Sequence, residues 1–136
     1  MKQDQLVITR QVYEGVTVIP HFPTSIRYQE CFVEFDDIYL EHLAELPSQL
    51  STLERTRKGS VLFDGGSRFR MTVRADSHGG IDLSFHAEPI NFPGTLILKG
   101  SFHIDGEHAA QTIQGLTNLI VDGREFTIHQ QQASMP

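Results

Sequence analysis

Along the middle of the chain, apolar and polar residues alternate without a break. Phe69, Met71, Val73 and Ala75 share one parity; Arg68, Arg70, Thr72 and Arg74 share the other. Ile81, Leu83, Phe85 and Ala87 repeat the apolar parity after the intervening Asp76-Ser77-His78-Gly79-Gly80. A period of two sends successive side chains to opposite faces of a strand, so each segment predicts a strand with one apolar and one polar face. The intervening residues have turn chemistry. Folding the pair about His78 sets Arg74 opposite Asp82, Thr72 opposite Ser84, Arg70 opposite His86 and Arg68 opposite Glu88. The same register sets Met71 against Phe85 and Val73 against Leu83. A slip of one residue would turn every apolar side chain outward, so the pattern specifies the register.

The flanks extend this sheet. Val61-Leu62-Phe63 joins it through Asp64-Gly65-Gly66, a tight-turn signal. Beyond the Pro- and Gly-rich stretch 88–94, Leu96, Leu98, Gly100, Phe102 and Ile104 are expected to face inward, and Thr95, Lys99, Ser101 and His103 outward. Residues 60–104 therefore predict a four-stranded meander. Asp105 then has the character of an N-cap. Ala109, Ile113, Leu116 and Ile120 recur at helical spacing, and this helix is expected to cover the apolar face.

Leu6–Thr9, Val16–Ile19 and Ile26–Phe35 read as strands, with a proline-containing loop over Pro20–Ser25. Asp36-Asp37 predicts a helix start, followed by a stripe of Tyr39, Leu43, Leu46 and Leu50. Pro47 falls inside that stripe and predicts a break near Leu46, with a further short turn to Leu53. Glu125–His129 reads as a last strand and Gln130–Pro136 as a frayed tail. The resulting expectation is a single α+β domain over residues 1–136. It has an antiparallel β-meander sheet of about six to seven strands and two helices, one after strand 3 and one near the C-terminus.

Composition narrows the function. The chain has 136 residues, 39% apolar and 21% charged, and a formal net charge of −6. That balance suits one globular domain and disfavours nucleic acid as a partner, because phosphate binding needs a basic face. The charge is segregated. Glu30 to Glu45 holds six acidic residues and no Lys or Arg, whereas six of the eleven basic residues fall between Arg55 and Arg74. Asp37, Glu41 and Glu45 recur every four residues and would share a helix face, a candidate surface for a basic protein partner. The solvated-face reading of the same stripe stands beside it. The N-terminus has no apolar leader, and no apolar run reaches the ~18 residues of a membrane span, so a cytoplasmic protein that does not enter the membrane is expected.

Catalytic and metal signals are sparse. Cys31 is the single cysteine; it lies in an apolar run and is expected to be a buried structural thiol. His86 and His103 could sit on neighbouring strands, but no third ligand follows at a zinc spacing, so no metal is assigned. Asp76-Ser77-His78 holds acid, nucleophile and base types side by side. Adjacent loop residues rarely adopt triad geometry, so no catalytic residue is assigned there. Gly65-Gly66 and Gly79-Gly80 lack phosphate-loop patterns and read as turns. No cofactor is implied.

Ala75-Asp76-Ser77-His78-Gly79-Gly80-Ile81-Asp82-Leu83-Ser84-Phe85 and Leu98-Lys99-Gly100-Ser101-Phe102-His103-Ile104-Asp105, followed by the helix ending Leu116-Thr117-Asn118-Leu119-Ile120, resemble the WapI-type (wall-associated-protein) immunity family. The resemblance covers residues 55 to 120. It implies a bacterial cytoplasmic protein, without enzymatic activity, that binds and neutralises a cognate polymorphic toxin domain. It carries over no binding residue, since those positions are turn, core and cap residues. The tail from Val121 and the absence of Trp depart from the family pattern. Two other readings stand beside it. One is a small-molecule-binding or enzymatic α+β domain with a pocket between sheet and helices, suggested by the polar outer face carrying Arg70, His86, Lys99 and His103. The other is a homo-oligomer joined through an edge strand at Leu6–Thr9.

Overall fold

The computed structural model describes residues 3–12, 19–89 and 96–130. In chain order the elements are β1 (Asp4–Ile8), β2 (Gln11–Val12), β3 (Pro20–His21), β4 (Thr24–Tyr28), β5 (Cys31–Phe35), α1 (Leu46–Thr56), β6 (Ser60–Asp64), β7 (Phe69–Ala75), β8 (Ile81–Ala87), β9 (Leu98–Ile104), α2 (Gly106–Asp122) and β10 (Phe126–Gln130). The α+β class holds, but the strands do not form one sheet. They form a four-stranded sheet in the order β10-β1-β4-β5, a small β2-β3 pair, and a second four-stranded sheet in the order β6-β7-β8-β9.

The second sheet is the meander that the alternation predicts. Arg74 pairs with Asp82, Thr72 with Ser84, Arg70 with His86, Met71 with Phe85 and Val73 with Leu83. The Glu88 N–H donates to the Arg68 carbonyl at 2.8 Å, which extends the register by one pair. At the β6–β7 turn, Asp64 Oδ1 accepts the Gly66 N–H at 2.9 Å, and Gly66 has φ +81°. The last strand at Phe126 is also where the sequence places it.

Several expectations are corrected. The residues from Asp36 do not open a helix. His42 adopts φ +55°, a single 3-10 turn spans Leu43–Glu45, and the first α-helix begins at Leu46 with Pro47 in its first turn. Proline is pre-organised for that position, where its missing N–H costs nothing, so Pro47 starts the helix that its position had suggested it would break. The segment before it is anchored by tertiary bonds: Phe22 N–H to the Ile38 carbonyl at 2.7 Å, and Glu41 N–H to the Asp64 carbonyl at 2.8 Å. The first helix consequently follows five strands, not three. Leu6–Ile8 is not an edge, because β10 pairs on its free side, with Ile8 opposite Phe126. Cys31 is exposed, although it shares the parity of buried Val33 and Phe35, because it sits at the hairpin end beyond the core. Leu96 is likewise 44% exposed and precedes β9. The strand expected over Val16–Ile19 and the tail from residue 131 lie outside the described residues, Ile19 apart.

One continuous core joins the layers. Leu6, Ile8, Ile26, Val33 and Phe35 from the first sheet meet Phe69, Met71, Phe85 and Phe102 from the second, and both helices add to the same cluster. Full burial of side chains of this size contributes about 1.5–3 kcal/mol each. Helix α2 buries Ala109, Ile113, Leu116, Leu119 and Ile120. Its C-terminal carbonyls are met by the Arg10 guanidinium, 2.7 Å from the Ile120 oxygen, where a cation also suits the helix dipole.

Tyr28 is the hinge pin between the sheets. Its ring stands edge-on to Phe85 at 5.2 Å and to Phe102 at 5.8 Å. Its hydroxyl accepts the Ser101 N–H at 3.3 Å. The hairpin beyond it turns through Gln29 and Glu30, at φ +50° and +70°, a backbone that Asn-Gly adopts with less strain. Glu30→Gly is expected to stabilise the protein by about 0.5–1 kcal/mol, the relieved left-handed strain exceeding the added chain entropy. A higher urea midpoint with an unchanged m-value would bear this out; a lower midpoint would refute it.

Candidate functional site

The outer face of the second sheet is solvent-facing and polar, and its registers stack side chains into three cross-strand rows. The first is Asp64, Arg70, His86 and Lys99; the second is Leu62, Thr72, Ser84 and Ser101; the third is Ser60, Arg74, Asp82 and His103. Leu62, Arg70, Arg74, Ser84, Lys99, Ser101 and His103 are exposed. Rows on one face recur every second residue, so neighbouring rows lie about 7 Å apart along the strands. A middle row of short hydroxyls is thus flanked by two rows that carry charge.

Asp64 holds the β6–β7 turn, whereas two other carboxylates at this face are drawn to histidines. Glu88 lies 3.2 Å from His86 Nε2, and Asp82 Oδ1 lies 2.8 Å from His103 Nδ1. Arg70, Arg74 and Lys99 are left without an ion pair among the described residues. Arg68 differs. It reaches Asp37 at 2.8 Å, with its guanidinium 5.3 Å from the Phe35 ring centre.

At one corner the sheet meets the 76–80 turn. Asp76 Oδ1 accepts N–H bonds from His78 at 2.7 Å and Gly80 at 2.9 Å. These backbone donors, with the His103 charge nearby, hold the Asp76 carboxyl below its ordinary pKa against the opposing effect of burial. Its other oxygen, buried and without a hydrogen bond, lies 3.6 Å from His103 Nδ1. The hydrogen bond to Asp82 raises the His103 pKa above its ordinary value, with desolvation opposing and the Asp82, Asp76 and Asp105 charges assisting.

Asp76, Asp82 and His103 each bring one donor atom within 4.8 Å of the others, a set that could hold a divalent ion. The 2.8 Å Nδ1–Oδ1 separation is a hydrogen-bond length, shorter than the edge of about 3.3 Å that bonds of 2.0–2.1 Å give a tetrahedral zinc shell. The geometry therefore matches a His103 Nδ1–H donated to Asp82, with the Asp76 carboxylate 3.6 Å from the same nitrogen. Linkage then has a definite sign. His103 contributes stability that is complete below pH 6.5 and is lost as pH rises through its higher folded pKa. Asp76 contributes stability that is present above pH 3.8 and is lost as pH falls through its lowered folded value. In an NMR titration His103 is expected to titrate above 6.5, and Asp82→Asn is expected to bring it back toward 6.5. An unmoved midpoint would contradict this account.

The sequence-derived candidates are distributed differently. Asp37, Glu41 and Glu45 share no helix face, because residues 36–42 are not helical. Asp37 is engaged by Arg68, Glu45 lies 3.8 Å from His42, and Glu41 hangs beside the Asp64 corner through its backbone bond. His86 and His103 stand two rows apart, about 14 Å by strand geometry, too far to share an ion. In Asp76-Ser77-His78 the carboxylate binds backbone amides, so the trio builds a turn. The Asp76–Asp82–His103 grouping escaped the sequence reading. Its only signal was the third row, which needs the β8–β9 register as well as the β7–β8 one.

An open depression of about 250 Å³ lies between α1 and β6, lined by Ser48, Gln49, Thr52 and Lys58 among others. It contains none of Arg70, His86, Lys99 or His103. Among the described residues no helix is long and apolar enough to cross a membrane. Compared with protein-family models, curated proteins and solved structures, the chain matches none.

Proposed function

We propose that this chain is a non-enzymatic protein-binding domain, and that its partner is the one its resemblance to WapI-type immunity proteins implies, a toxin domain neutralised in the cytoplasm. The observation that supports the reading is the exposed three-row face of the meander, backed by a filled core. A surface already fixed by strand pairing loses little freedom when a partner covers it. The acidic segment borders this face, with Asp37 bonded to Arg68 and the Glu41 backbone bonded to Asp64. Juxtaposed acidic and basic regions select the orientation of a partner as well as its approach rate.

The test uses the C-terminal domain of a toxin encoded beside this gene. Co-expression of the chain should restore growth to cells making that domain. The purified pair should bind with nanomolar affinity that weakens as salt rises. Absence of both protection and binding would refute the proposal.

A further inference from the structure

We infer that the polar face of the second sheet is the docking surface, and that it takes an acidic protein segment laid over the Thr72–Ser84–Ser101 row. The inference rests on the protein-binding reading above and specifies where and what the domain binds.

The argument is one of charge left uncompensated. The chain carries a net −6, yet Arg70, Arg74 and Lys99 stand exposed on one face without an ion pair among the described residues. Carboxylates are at hand. Asp64 is registered opposite Arg70, and Asp82 opposite Arg74. Asp82 nevertheless bonds His103, and Glu88 meets His86. By strand geometry Arg70 and Arg74 are about 14 Å apart along β7, and Lys99 lies two strands away, about 10 Å across. The three cations flank a floor of hydroxyls, Arg70 and Lys99 in the row on one side and Arg74 in the row on the other, and these hydroxyls are short donors and acceptors that allow close approach. Exposed Leu62 closes one end of that floor with apolar surface. A segment with carboxylates about 10–14 Å apart meets these cations and can hydrogen-bond the floor between its charges. Nucleic acid fits less well, because Asp64 and Asp82 are interspersed with the cations and would repel a continuous line of phosphates.

The probe is a fluorescein-labelled peptide of alternating Glu and Ser, with an alternating Lys and Ser peptide as its counterpart, titrated into the full chain. The acidic peptide is expected to bind and the basic one not. The double variant Arg70→Ala/Lys99→Ala should weaken binding at least tenfold, whereas Arg55→Ala/Arg124→Ala, one on the first helix and one just after the second, should leave it within twofold. Amide shifts on binding should centre on Thr72, Ser84 and Ser101. Equal losses in both double variants, shifts centred elsewhere, or tighter binding of a single-stranded RNA of equal charge would overturn the inference. The same variants tested against the toxin domain separate the two proposals. Tight binding that ignores Arg70 and Lys99 keeps the protein-binding reading and discards this surface, whereas absence of any toxin binding discards the reading itself.

Discussion

Replacing Gly100 with alanine is expected to cost about 3 kcal/mol and lower the melting temperature by roughly 10 °C. A Cβ at this position would lie 2.4 Å from Tyr28 Cε2 and 2.5 Å from Cζ. A flexible side chain could move aside, but this ring cannot do so cheaply. It is wedged against Phe85 and Phe102 and tied through its hydroxyl to Ser101. Displacing it adds overpacking strain and forfeits two aromatic pairs worth about 0.5–1.5 kcal/mol each. Tyr28→Ala should be destabilising alone, yet the Gly100→Ala/Tyr28→Ala double variant should be markedly more stable than the sum of the single changes implies. Strict additivity in urea denaturation would show that the ring does not depend on the missing side chain.

Gly80→Ala is expected to cost about 2–4 kcal/mol, and its effect extends to the corner of the polar face. The added Cβ would fall 2.4 Å from the Ile104 carbonyl oxygen and 2.8 Å from Asp76 Oδ2. The first obstacle is backbone, so the 76–80 turn must shift. That shift pulls on the Asp76–Gly80 bond and on the contact with His103. Thermal denaturation should reveal the loss, and the His103 midpoint should fall toward 6.5 in the same protein. Gly79 is the control. At φ +87° with no atom within 4 Å of its would-be Cβ, alanine there meets only left-handed strain, about 1–2 kcal/mol. Similar losses at both positions, with His103 unmoved, would mean that close packing of Gly80 is not what holds the corner.

How far the sequence carried the structure depended on whether the decisive interaction was local. Residues 60–104 were legible because each strand alternates and each turn declares itself, so the sequence alone sets Met71 against Phe85. The N-terminal half was not. No period in Leu6–Ile8 signals that its second neighbour is Phe126–Gln130, and nothing around Gln29-Glu30 announces a tight hairpin. The apolar spacing through Tyr39 and Leu43 imitates a helix, while Ile38 and Glu41 are held by bonds to Phe22 and Asp64 that only the tertiary structure supplies. The polar face was legible residue by residue. The Asp76–Asp82–His103 corner was not, because it joins a turn to two strands across 27 positions of sequence.

The pairing of β1 with β10 sets an order on assembly. The meander closes through near neighbours in sequence, so its loop-closure entropy is small and it can form early. Strand β1 must wait for Phe126 to be synthesised and to arrive opposite Ile8. Until then, the neighbour of β4, strand β1, has a bare outer hydrogen-bonding edge. During translation the growing chain therefore passes through a stage in which one sheet is finished and the other exposes an open edge. At that stage chaperone binding and mispairing compete with folding.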